Sequence, residues 1–585
     1  MCHTLPVIYL FCIRLSLVLP LNLKLIVYLI FSSLIGLTIG AVVSLIANLF
    51  VNGIKFFEVL RLELFLTFSS VKYTEIVLPF AWLSAGFFLV FFIKKMIGSA
   101  PWQGPADAIY CAHRPDKSMD IRQGFGTVLA AFTSLSAGAS LGQYGPIVHM
   151  GALIGSLFRK YNLHSVSLSN DIFIGCGVAA AISAGFQAPI AGVIFAHEAI
   201  LRHFSMRAIA PIAISSICAA SVGEWLGLSE NILALNFSAQ PLLNQVPALL
   251  IGGFIFSMVA VFIMKTTLTG IATINKLSLP IGYLAFAAVF GLGTIGIIVP
   301  ETIGIGMKSL VSILSGHYEI SILFLLFCAK ILAVLISICF GFVGGFVSPA
   351  LMIGALSGGL LSTILSSLGF EVSSVTLMIA GMAAVSGTIV GAPISMVMLV
   401  FELTESYDFA VSAMLSVVVA NLFSHLVFSH SLFDEQLKRR NIDVSQGRGN
   451  LTLMEQSVTD IAQTEFLKIF PNTSVADTIQ LLKKRQQTEA YCVEGNGTYV
   501  GKLFLPQLLE LRPNTEVLTS VMKSETVIPA DASMFQAIEI ASDFVGEALA
   551  VVDTDTNKIV GTVTEAALFQ VYLKAQSDVH KLEHG

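Results

Sequence analysis

The sequence predicts a mostly helical, polytopic membrane protein made of two homologous halves, followed by a smaller α/β domain. Hydrophobic residues make up 55% of the 585 residues and charged residues only 12%, which is about half of the charged fraction usual in soluble domains. Two pairs of similar segments recur at a nearly constant offset. Near Gln436 the apolar sequence gives way to a chain with an ordinary density of charge. These observations favour a membrane domain at about 1–440 with a soluble domain after it.

Six apolar stretches are long enough to cross the roughly 30 Å hydrocarbon layer of a membrane. They cover residues 25–50, 76–92, 246–263, 281–298, 320–340 and 409–428. A further apolar run over residues 6–21 lacks an A-x-A-like cleavage site, and another span follows it at once. We therefore expect a retained helix there rather than a signal peptide.

The membrane domain contains an internal repeat. The segment PIVHMGALIG, which begins at Pro146, resembles PALMIGALSG, which begins 203 residues later at Pro349. GVAAAISAGFQAPI (177–190) likewise resembles GMAAVSGTIVGAPI (381–394), and Glu198 matches Glu402 at the same offset of 204 residues. Two separate matches at almost one offset indicate two homologous halves, at about 25–227 and 246–440.

The repeated segments are interrupted by glycine and proline, which is typical of transporters whose substrate site is built from the N-termini of broken helices. A helix N-terminus presents unpaired N–H groups and a partial positive charge, so its preferred guest is an anion. No Lys or Arg lies between Arg122 and Arg159, or between Lys330 and Lys438. We therefore expect an anion pathway built from backbone dipoles, with helix N-termini near Gln103, Gly142 and Gly345. The net charge of -5 is too small to favour a nucleic-acid partner.

Several motifs resemble those of the CLC family of chloride channels and chloride/proton exchangers, in its bacterial type with a C-terminal pair of CBS domains. GQYGP (142–146) resembles the family's G(K/R)EGP motif, and GFVSP (345–349) resembles its GxFxP motif. APIAGVIFAHEA, GAPISMVMLVFELTE and SLFDEQLKRR also resemble family signatures. The resemblance implies two inverted halves, a homodimer with one anion pathway in each subunit, and chloride as the most probable substrate. It implies these anion-site residues: Gly142, Gln143, Tyr144, Gly145, Gly345, Phe346 and Val347.

Two departures from the family bear on mechanism. The glutamate at the centre of G(K/R)EGP, which carries protons in exchangers, is here Tyr144, and the glutamate that relays protons on the cytoplasmic side is here Ala199. A phenol ordinarily ionises near pH 10, so Tyr144 stays neutral and acts as a gate or a hydrogen-bond donor. The sequence therefore predicts passive chloride conduction uncoupled from protons. The alternative is a chloride/proton antiporter with an unusual proton route through His197 and Glu198.

The resemblance also implies a serine-like ligand and an inner gate at the central site. The family's GSGIP serine corresponds either to Ser99 or to Gln103, which Gly104 follows, and either side chain can donate a hydrogen bond to an anion. The family's inner tyrosine falls at Phe433, which keeps a hydrophobic gate but removes a hydroxyl. Selectivity among chloride, bromide, nitrate and fluoride stays open.

Other polar residues of the membrane domain are interpreted as structural. Pro146 and Pro349 suit the first turns of helices, and Glu198 and Glu402 suit acceptors near helix ends. His149 and His203 fit helix packing better than a pH sensor. A CBS-linked divalent cation transporter would need several carboxylates facing one pore, and the spans offer chiefly Glu198 and Glu402. We expect no enzyme, since no nucleophile, base or metal constellation is present, and the eight cysteines show no metal-ligand spacing.

The tail after residue 440 reads as two β-α-β units. We expect a linker at 441–460, a first CBS domain at 461–514 and a second at 515–575. The Asp that often holds the ribose in nucleotide-binding CBS domains is replaced by Gln507 and Ala567. We therefore expect mainly a dimerisation and coupling platform without a cofactor, with adenine-nucleotide binding as the alternative. The basic cluster Lys438, Arg439 and Arg440 predicts that the tail faces the cytoplasm, and the resemblance to the bacterial type of the family implies the inner membrane.

Overall fold

The computed structural model describes residues 21–67, 74–98, 101–114, 117–159, 168–227, 242–316, 318–428, 430–520 and 526–584. The chain divides into two compact units between Ile442 and Asp443, two residues beyond the predicted end of the membrane domain. The helix expected over residues 6–21 lies outside the described residues except for its last residue.

The first half of the membrane unit is mainly helical over its described residues. Its helices are α1 (Leu21–Thr67), α2 (Thr74–Ile97), α3 (Pro105–His113), α4 (Ile121–Ser136), α5 (Tyr144–Phe158), α6 (Asn170–Phe186), α7 (Pro189–Phe195) and α8 (Met206–Trp225). A short π-helix, Ala196–Leu201, continues α7.

The second half has a matching series of helices. They are α9 (Leu242–Leu277), α10 (Ile281–Ile298), α11 (Met307–Ser315), α12 (Ile320–Cys339), α13 (Val347–Ser367), α14 (Ser374–Val390), α15 (Pro393–Thr404), α16 (Tyr407–Val427) and α17 (Leu432–Lys438). A turn of 3-10 helix, Pro300–Thr302, follows α10.

Within the described residues, eight helical segments are long and apolar enough to cross a membrane. The six predicted spans fall in α1, α2, α9, α10, α12 and α16, while α8 and α13 add two more. Helices α5, α6, α7, α14 and α15 are apolar but shorter. These shorter helices border the repeated glycine- and proline-containing segments, as the interrupted sequence pattern predicts.

Two carboxylates join the halves in a reciprocal arrangement. Glu198, on the π-helix, accepts hydrogen bonds from the N–H groups of Ile394 (2.9 Å) and Ser395 (2.7 Å) at the start of α15. Glu402, on α15, accepts hydrogen bonds from Ile190 (2.8 Å) and Ala191 (2.7 Å) at the start of α7. Each half thus caps the other's helix, which is the reciprocity that a two-fold relation produces. Both carboxylates also lie at positively polarised helix N-termini, where negative charge is stabilised.

Inside each half, two helices pack at backbone distance. A Cβ on Gly151 of α5 would collide with the carbonyl of Gly177 on α6, and a Cβ on Gly354 of α13 would collide with the carbonyl of Gly381 on α14. Small residues at helix crossings allow such close approach in membranes. The α5–α6 and α13–α14 pairs therefore form the dense centre of the unit.

The C-terminal unit contains two similar three-stranded sheets. The first has β1 (Lys468–Ile469), β2 (Glu489–Val493) and β3 (Tyr499–Phe504), and the second has β4 (Ile528–Pro529), β5 (Ala548–Val552) and β6 (Ile559–Thr564). In each sheet the first pair of strands is parallel and the second antiparallel. The helices are α18 (Arg448–Glu455), α19 (Val475–Arg485), α20 (Leu505–Leu509), α21 (Met534–Ser542) and α22 (Glu565–His584). The order of elements is the one predicted for two β-α-β units.

The linker predicted at 441–460 is wrong as a structural description. These residues form a 3-10 turn (Val444–Gln446), helix α18 and a second 3-10 turn (Val458–Asp460). Leu453 and Val458 are fully buried in one hydrophobic core with Ile528 and Val563. Charge density suggested a linker, but a few apolar side chains suffice to bind this segment to the repeat that contains the second sheet.

A buried ion pair joins the two repeats of this unit. Lys502 Nζ lies 2.6 Å from Glu489 Oε2 and donates a 2.6 Å hydrogen bond to the carbonyl of Ala548, with both charged side chains less than one-tenth exposed. Burial lowers the pKa of Lys502, and its hydrogen bond to Glu489 opposes that shift. Glu489 also accepts a 3.0 Å hydrogen bond from the N–H of Glu547, so both members of the pair, which belong to the first repeat, form hydrogen bonds with the second.

We predict that Glu402→Ala destabilises the membrane unit by about 2 kcal/mol, because it leaves the N–H groups of Ile190 and Ala191 without an acceptor. Glu402→Gln should lose less, since the amide oxygen still accepts one bond. Thermal unfolding of the purified full-length protein in detergent measures the difference. Glu301→Ala, at an exposed carboxylate on the 3-10 turn, is the matched control. Equal midpoints for Glu402→Ala and Glu301→Ala would contradict the capping role.

Candidate functional site

Helices α5 and α13 begin at one point in the centre of the membrane unit. The N–H of Gly142 donates a 2.7 Å hydrogen bond to the carbonyl of Gly345, and the N–H of Gly345 donates a 2.7 Å hydrogen bond to the carbonyl of Gly142. GQYGP and GFVSP, 203 residues apart, thus pair directly as an antiparallel bridge. The two segments that the repeat singled out form one local structure.

The glycines of this bridge are required by contact distance. A Cβ on Gly145 would lie 2.8 Å from the Cα of Gly345, and a Cβ on Gly345 would lie 2.7 Å from the amide nitrogen of Gly145. Both values are below any normal Cβ contact, and the neighbouring atoms are backbone. Only glycine lets the two chains approach this closely.

The helix starts leave a set of unused hydrogen-bond donors. The first N–H groups of a helix have no intrahelical acceptor, and Pro146 and Pro349 carry none. The free amides are therefore those of Tyr144, Gly145, Val347 and Ser348, and no described residue accepts a hydrogen bond from them. Phe346 is the N-cap of α13 and Gln143 that of α5. Two facing helix N-termini with free donors can hold an anion.

Tyr144 occupies the start of α5 as a fully packed side chain. Its ring is 1% exposed and stacks on Phe186, with ring centroids 3.4 Å apart and planes inclined by 16°. By geometric criteria its hydroxyl has no hydrogen-bond partner among the described residues. A buried polar group without a partner calls for a ligand or water, so the hydroxyl is available to a passing ion.

Ser348 is a donor that the sequence analysis did not identify. Its hydroxyl is buried without a partner in the described structure, and it lies 3.0 Å from the place where a Cβ would stand on Gly142. In the sequence, the only indication that Ser348 belongs to the site was its position directly after Val347 in GFVSP. The hydroxyls of Tyr144 and Ser348 thus flank the same bridge.

Helix α3 reaches this site through His149. Gly104 is the N-cap of α3, its N–H donates to Asp107 Oδ2 at 2.7 Å, and its carbonyl lies 3.1 Å from Nδ1 of His149 on α5. The N–H of Gln103 donates to Thr127 Oγ1 at 3.1 Å, and its side-chain Oε1 is buried without a partner in the described structure. Gln103 therefore sits at a helix N-terminus attached to α5. Ser99, its competitor in the sequence, lies outside the described residues.

Phe433 belongs to α17, which packs against α3 and α14. It is 6% exposed, and Ser431 and Asp434 form a capping box at the start of this helix. Asp434 also pairs with Arg202, while Arg440 Nη1 pairs with Asp107 Oδ1 at 2.8 Å. We call the side of the unit that holds these ion pairs the carboxy-terminal face, since α17 ends there.

A cluster of titratable side chains lies at this face, at the end of the π-helix. Ala199 is buried in the π-helix and offers no titratable group. His197 is also fully buried, with Nδ1 2.9 Å from the carbonyl of His203 and Nε2 without a partner in the described structure. His203 Nε2 lies 3.4 Å from Asp171 Oδ2 at the start of α6. Imidazoles and a carboxylate thus meet where the family resemblance expects a glutamate.

The described residues contain no group of three or more His, Cys, Asp or Glu side chains able to hold a metal ion. Glu198 and Glu402, the carboxylates considered for a cation pore, are both engaged at helix N-termini. The arrangement consists of backbone and hydroxyl donors with neutral side chains around them. Its chemistry is that of anion binding.

Comparison with known proteins agrees with this geometry. A family model described as "Voltage gated chloride channel" matches residues 81–425, and a CBS domain model matches residues 518–574. A "Putative chloride channel protein ClcB-like" of Ralstonia nicotianae is 25% identical over 352 residues, covering 59% of this chain and 81% of that protein. An "H(+)/Cl(-) exchange transporter ClcA" of Vibrio parahaemolyticus is 26% identical over 317 residues, covering 52% of this chain and 67% of that protein.

Two solved structures share the fold. A slow cyanobacterial Cl⁻/H⁺ antiporter superposes with a TM-score of 0.63 at 19% identity, covering 70% of this chain and 97% of that one. A eukaryotic CLC transporter superposes with a TM-score of 0.61 at 16% identity, covering 93% of this chain and 98% of that one. The resemblance seen in the sequence motifs is thereby confirmed: the chain belongs to the CLC family of voltage-gated chloride channels and transporters and carries a C-terminal CBS domain.

Proposed function

We propose that this protein moves chloride across the membrane in exchange for protons. Anion transport follows from membership of the CLC family. Coupling to protons is supported by the similarity to proteins named H⁺/Cl⁻ exchange transporters. The uncoupled conduction predicted from Tyr144 and Ala199 is not supported by these comparisons, which favour the antiporter alternative.

The anion step uses the free donors at the Gly142–Gly345 bridge. The amides of Tyr144, Gly145, Val347 and Ser348, with the hydroxyls of Tyr144 and Ser348, offer several donors and no full positive charge. Partial charges let an anion bind and also leave. Gln103 can add its amide N–H₂ from the N-terminus of α3, and Phe433 closes the path on the side of α17.

The proton step is supported by one observation, the two buried imidazoles whose Nε2 atoms have no partner in the described structure. His197 belongs to the π-helix and His149 to α5, and α3 packs against both of these helices. If Nδ1–H of each ring donates to its carbonyl, Nε2 is the basic nitrogen and can accept a proton. Asp171 and His203 connect His197 with the carboxy-terminal face.

Tyr144 takes part in this scheme without ionising. A phenol both donates and accepts a hydrogen bond, so it can pass a proton along a chain while it stays neutral. In this proposal its buried ring, stacked on Phe186, obstructs the path of the chloride ion. We therefore assign Tyr144 the gate on one side of the anion site and Phe433 the gate on the other.

The second candidate is passive chloride flux without protons. It is favoured by the absence of a carboxylate at positions 144 and 199, the two places where the family resemblance expects glutamate. In that case His149 and His197 serve packing alone. The same measurement separates the two candidates.

Two further assignments belong to this proposal. We place the CBS unit in the cytoplasm because Lys438, Arg439 and Arg440 directly follow the last apolar helix, and basic residues flank the cytoplasmic ends of spans. We also propose a homodimer with one anion pathway in each subunit, on the basis of the family resemblance.

We predict that the reversal potential of the purified protein in liposomes shifts when a pH gradient is added to a chloride gradient, because coupled ions share one electrochemical balance. The potential is read with chloride gradients of both directions, with and without an opposing pH gradient. A potential that follows chloride alone would contradict exchange and establish the passive candidate. Liposomes without protein are the control for leak.

We predict that His197→Asn abolishes the pH-dependent shift while chloride flux continues. Asparagine can still donate to the carbonyl of His203 but cannot carry a proton at neutral pH, so packing is preserved. Chloride efflux and proton uptake are followed in the same liposomes. His425→Asn, at an exposed histidine on α16, is the matched control. Unchanged proton uptake in His197→Asn would exclude this imidazole from the route.

We predict opposite effects for two variants of Tyr144. Tyr144→Phe keeps the ring stacked on Phe186 and removes only the hydroxyl, so the gate stays closed and chloride binding weakens. Tyr144→Ala removes the ring, so chloride flux rises several-fold and loses its pH dependence. Flux assays at several chloride concentrations measure both effects, after size-exclusion chromatography has shown intact protein. A lower flux in Tyr144→Ala than in wild type would contradict a gating role.

A further inference from the structure

A large cavity ends at the anion site on the side away from the carboxy-terminal face. It encloses about 1000 Å³, and Gln143 and Tyr144 belong to its wall. Gly185 and Gln187, at the C-terminal end of α6, also line it, whereas Asp171 at the other end of α6 belongs to the carboxy-terminal face. A helix of 17 residues is about 25 Å long, so the cavity and that face lie on opposite sides of the site.

Three cations and one carboxylate line this cavity. The cations are Lys55, Arg61 and Lys308, and the carboxylate is Glu58. Lys308 Nζ lies 3.2 Å from Glu58 Oε1, so this pair neutralises itself. Arg61 forms no hydrogen bond or ion pair with any residue in the described part of the chain. Glu58, which pairs with Lys308, also attracts the partly buried guanidinium of Arg61, and basic side chains still outnumber carboxylates on the cavity wall.

The position of Arg61 relates it to the anion site. Its Nη1 lies against Gly138, where any Cβ would collide with it, and Gly138 has a φ of +96°, which favours glycine. Gly138 belongs to the loop that connects α4 to the bridge residue Gly142. The guanidinium therefore faces the segment that leads into GQYGP.

A second cation stands behind the same wall. Lys330 on α12 is fully buried, and its Nζ donates to the carbonyls of Thr302 (3.0 Å) and Gly304 (3.2 Å). Gly304 lines the cavity. No carboxylate in the described structure pairs with this ammonium. Lys330 thus adjoins the cavity through backbone carbonyls, while the positive potential of the cavity comes from its lining, where three basic side chains face one carboxylate.

We infer that the cavity is an anion-collecting vestibule in which Arg61 binds the transported anion before it passes Tyr144. A cleft lined by charge of one sign concentrates ions of the opposite sign, and an arginine provides several N–H donors at a charge that never titrates in proteins. The inference rests on anion transport and is independent of proton coupling. Glu58, in its pair with Lys308, limits the potential and lets the anion move on.

Arg61→Gln tests this inference in currents across planar bilayers, with chloride varied on each side separately at constant ionic strength. We expect the half-saturating chloride concentration on the vestibule side to rise about tenfold, the lower end of the concentrating effect of a charged cleft. The value on the other side should not change. Arg61→Lys should keep the half-saturating concentration close to the wild-type value, because it preserves the positive charge. Glu58→Gln should lower that concentration below the wild-type value, because it removes the negative charge that opposes the anion.

Raising the ionic strength with gluconate should reduce the difference between Arg61→Gln and wild type, because salt screens the charge over about 10 Å at 0.1 M. A flux reduced by the same factor at all chloride concentrations and from both sides would show a structural role and overturn the inference, as would an unchanged half-saturating concentration. Failure of the exchange proposal is recognised separately, since the pH dependence of the reversal potential is expected to be the same in wild type and in Arg61→Gln.

Discussion

The mutual hydrogen bonds of Gly142 and Gly345 are the interaction on which the rest of the membrane unit depends. They fix the starts of α5 and α13 against each other at backbone distance. At that distance there is no room for side chains between the two segments, so the groups available to the proposed anion are the amides themselves and the hydroxyls of Tyr144 and Ser348. Glycine is needed for the approach and proline for the entry into each helix, and together they explain why both motifs contain the same residue types. An anion site without a charged side chain follows from this geometry.

Hydrogen bonding of the N–H groups at helix starts also determines the contacts between the halves. Free N–H groups at a helix start are costly in a membrane because no water is available to accept their hydrogen bonds. The starts of α7 and α15 are capped by Glu402 and Glu198, whereas the starts of α5 and α13 are left open. The difference separates structural helix ends from functional ones. It also explains why neither glutamate is available as a pore-facing ligand.

Charge is distributed around the site rather than within it. The centre holds Tyr144, His149 and unpaired amides, all of which can stay neutral. Basic side chains, Arg61 among them, outnumber carboxylates in the lining of the vestibule, and the ion pairs of Asp434 and Asp107 lie at the carboxy-terminal face. An anion can thus be drawn toward the protein by full charges and held in the centre by partial ones. Strong attraction at the centre would slow its release.

The sequence by itself determined the membrane class, the two halves, the domain order and the glycine- and proline-bounded segments of the site, because hydropathy and repeat patterns are local properties. The motif resemblance located Tyr144, Ala199 and Phe433. What the sequence did not reveal are contacts between distant segments: the pairing of Gly142 with Gly345, the link from His149 to Gly104, and the place of Ser348 and Arg61. It also misjudged residues 441–460, whose few apolar side chains pack into the second CBS repeat. Only the tertiary structure decided these points, since a polar residue acquires its role from the groups that its neighbours leave unpaired.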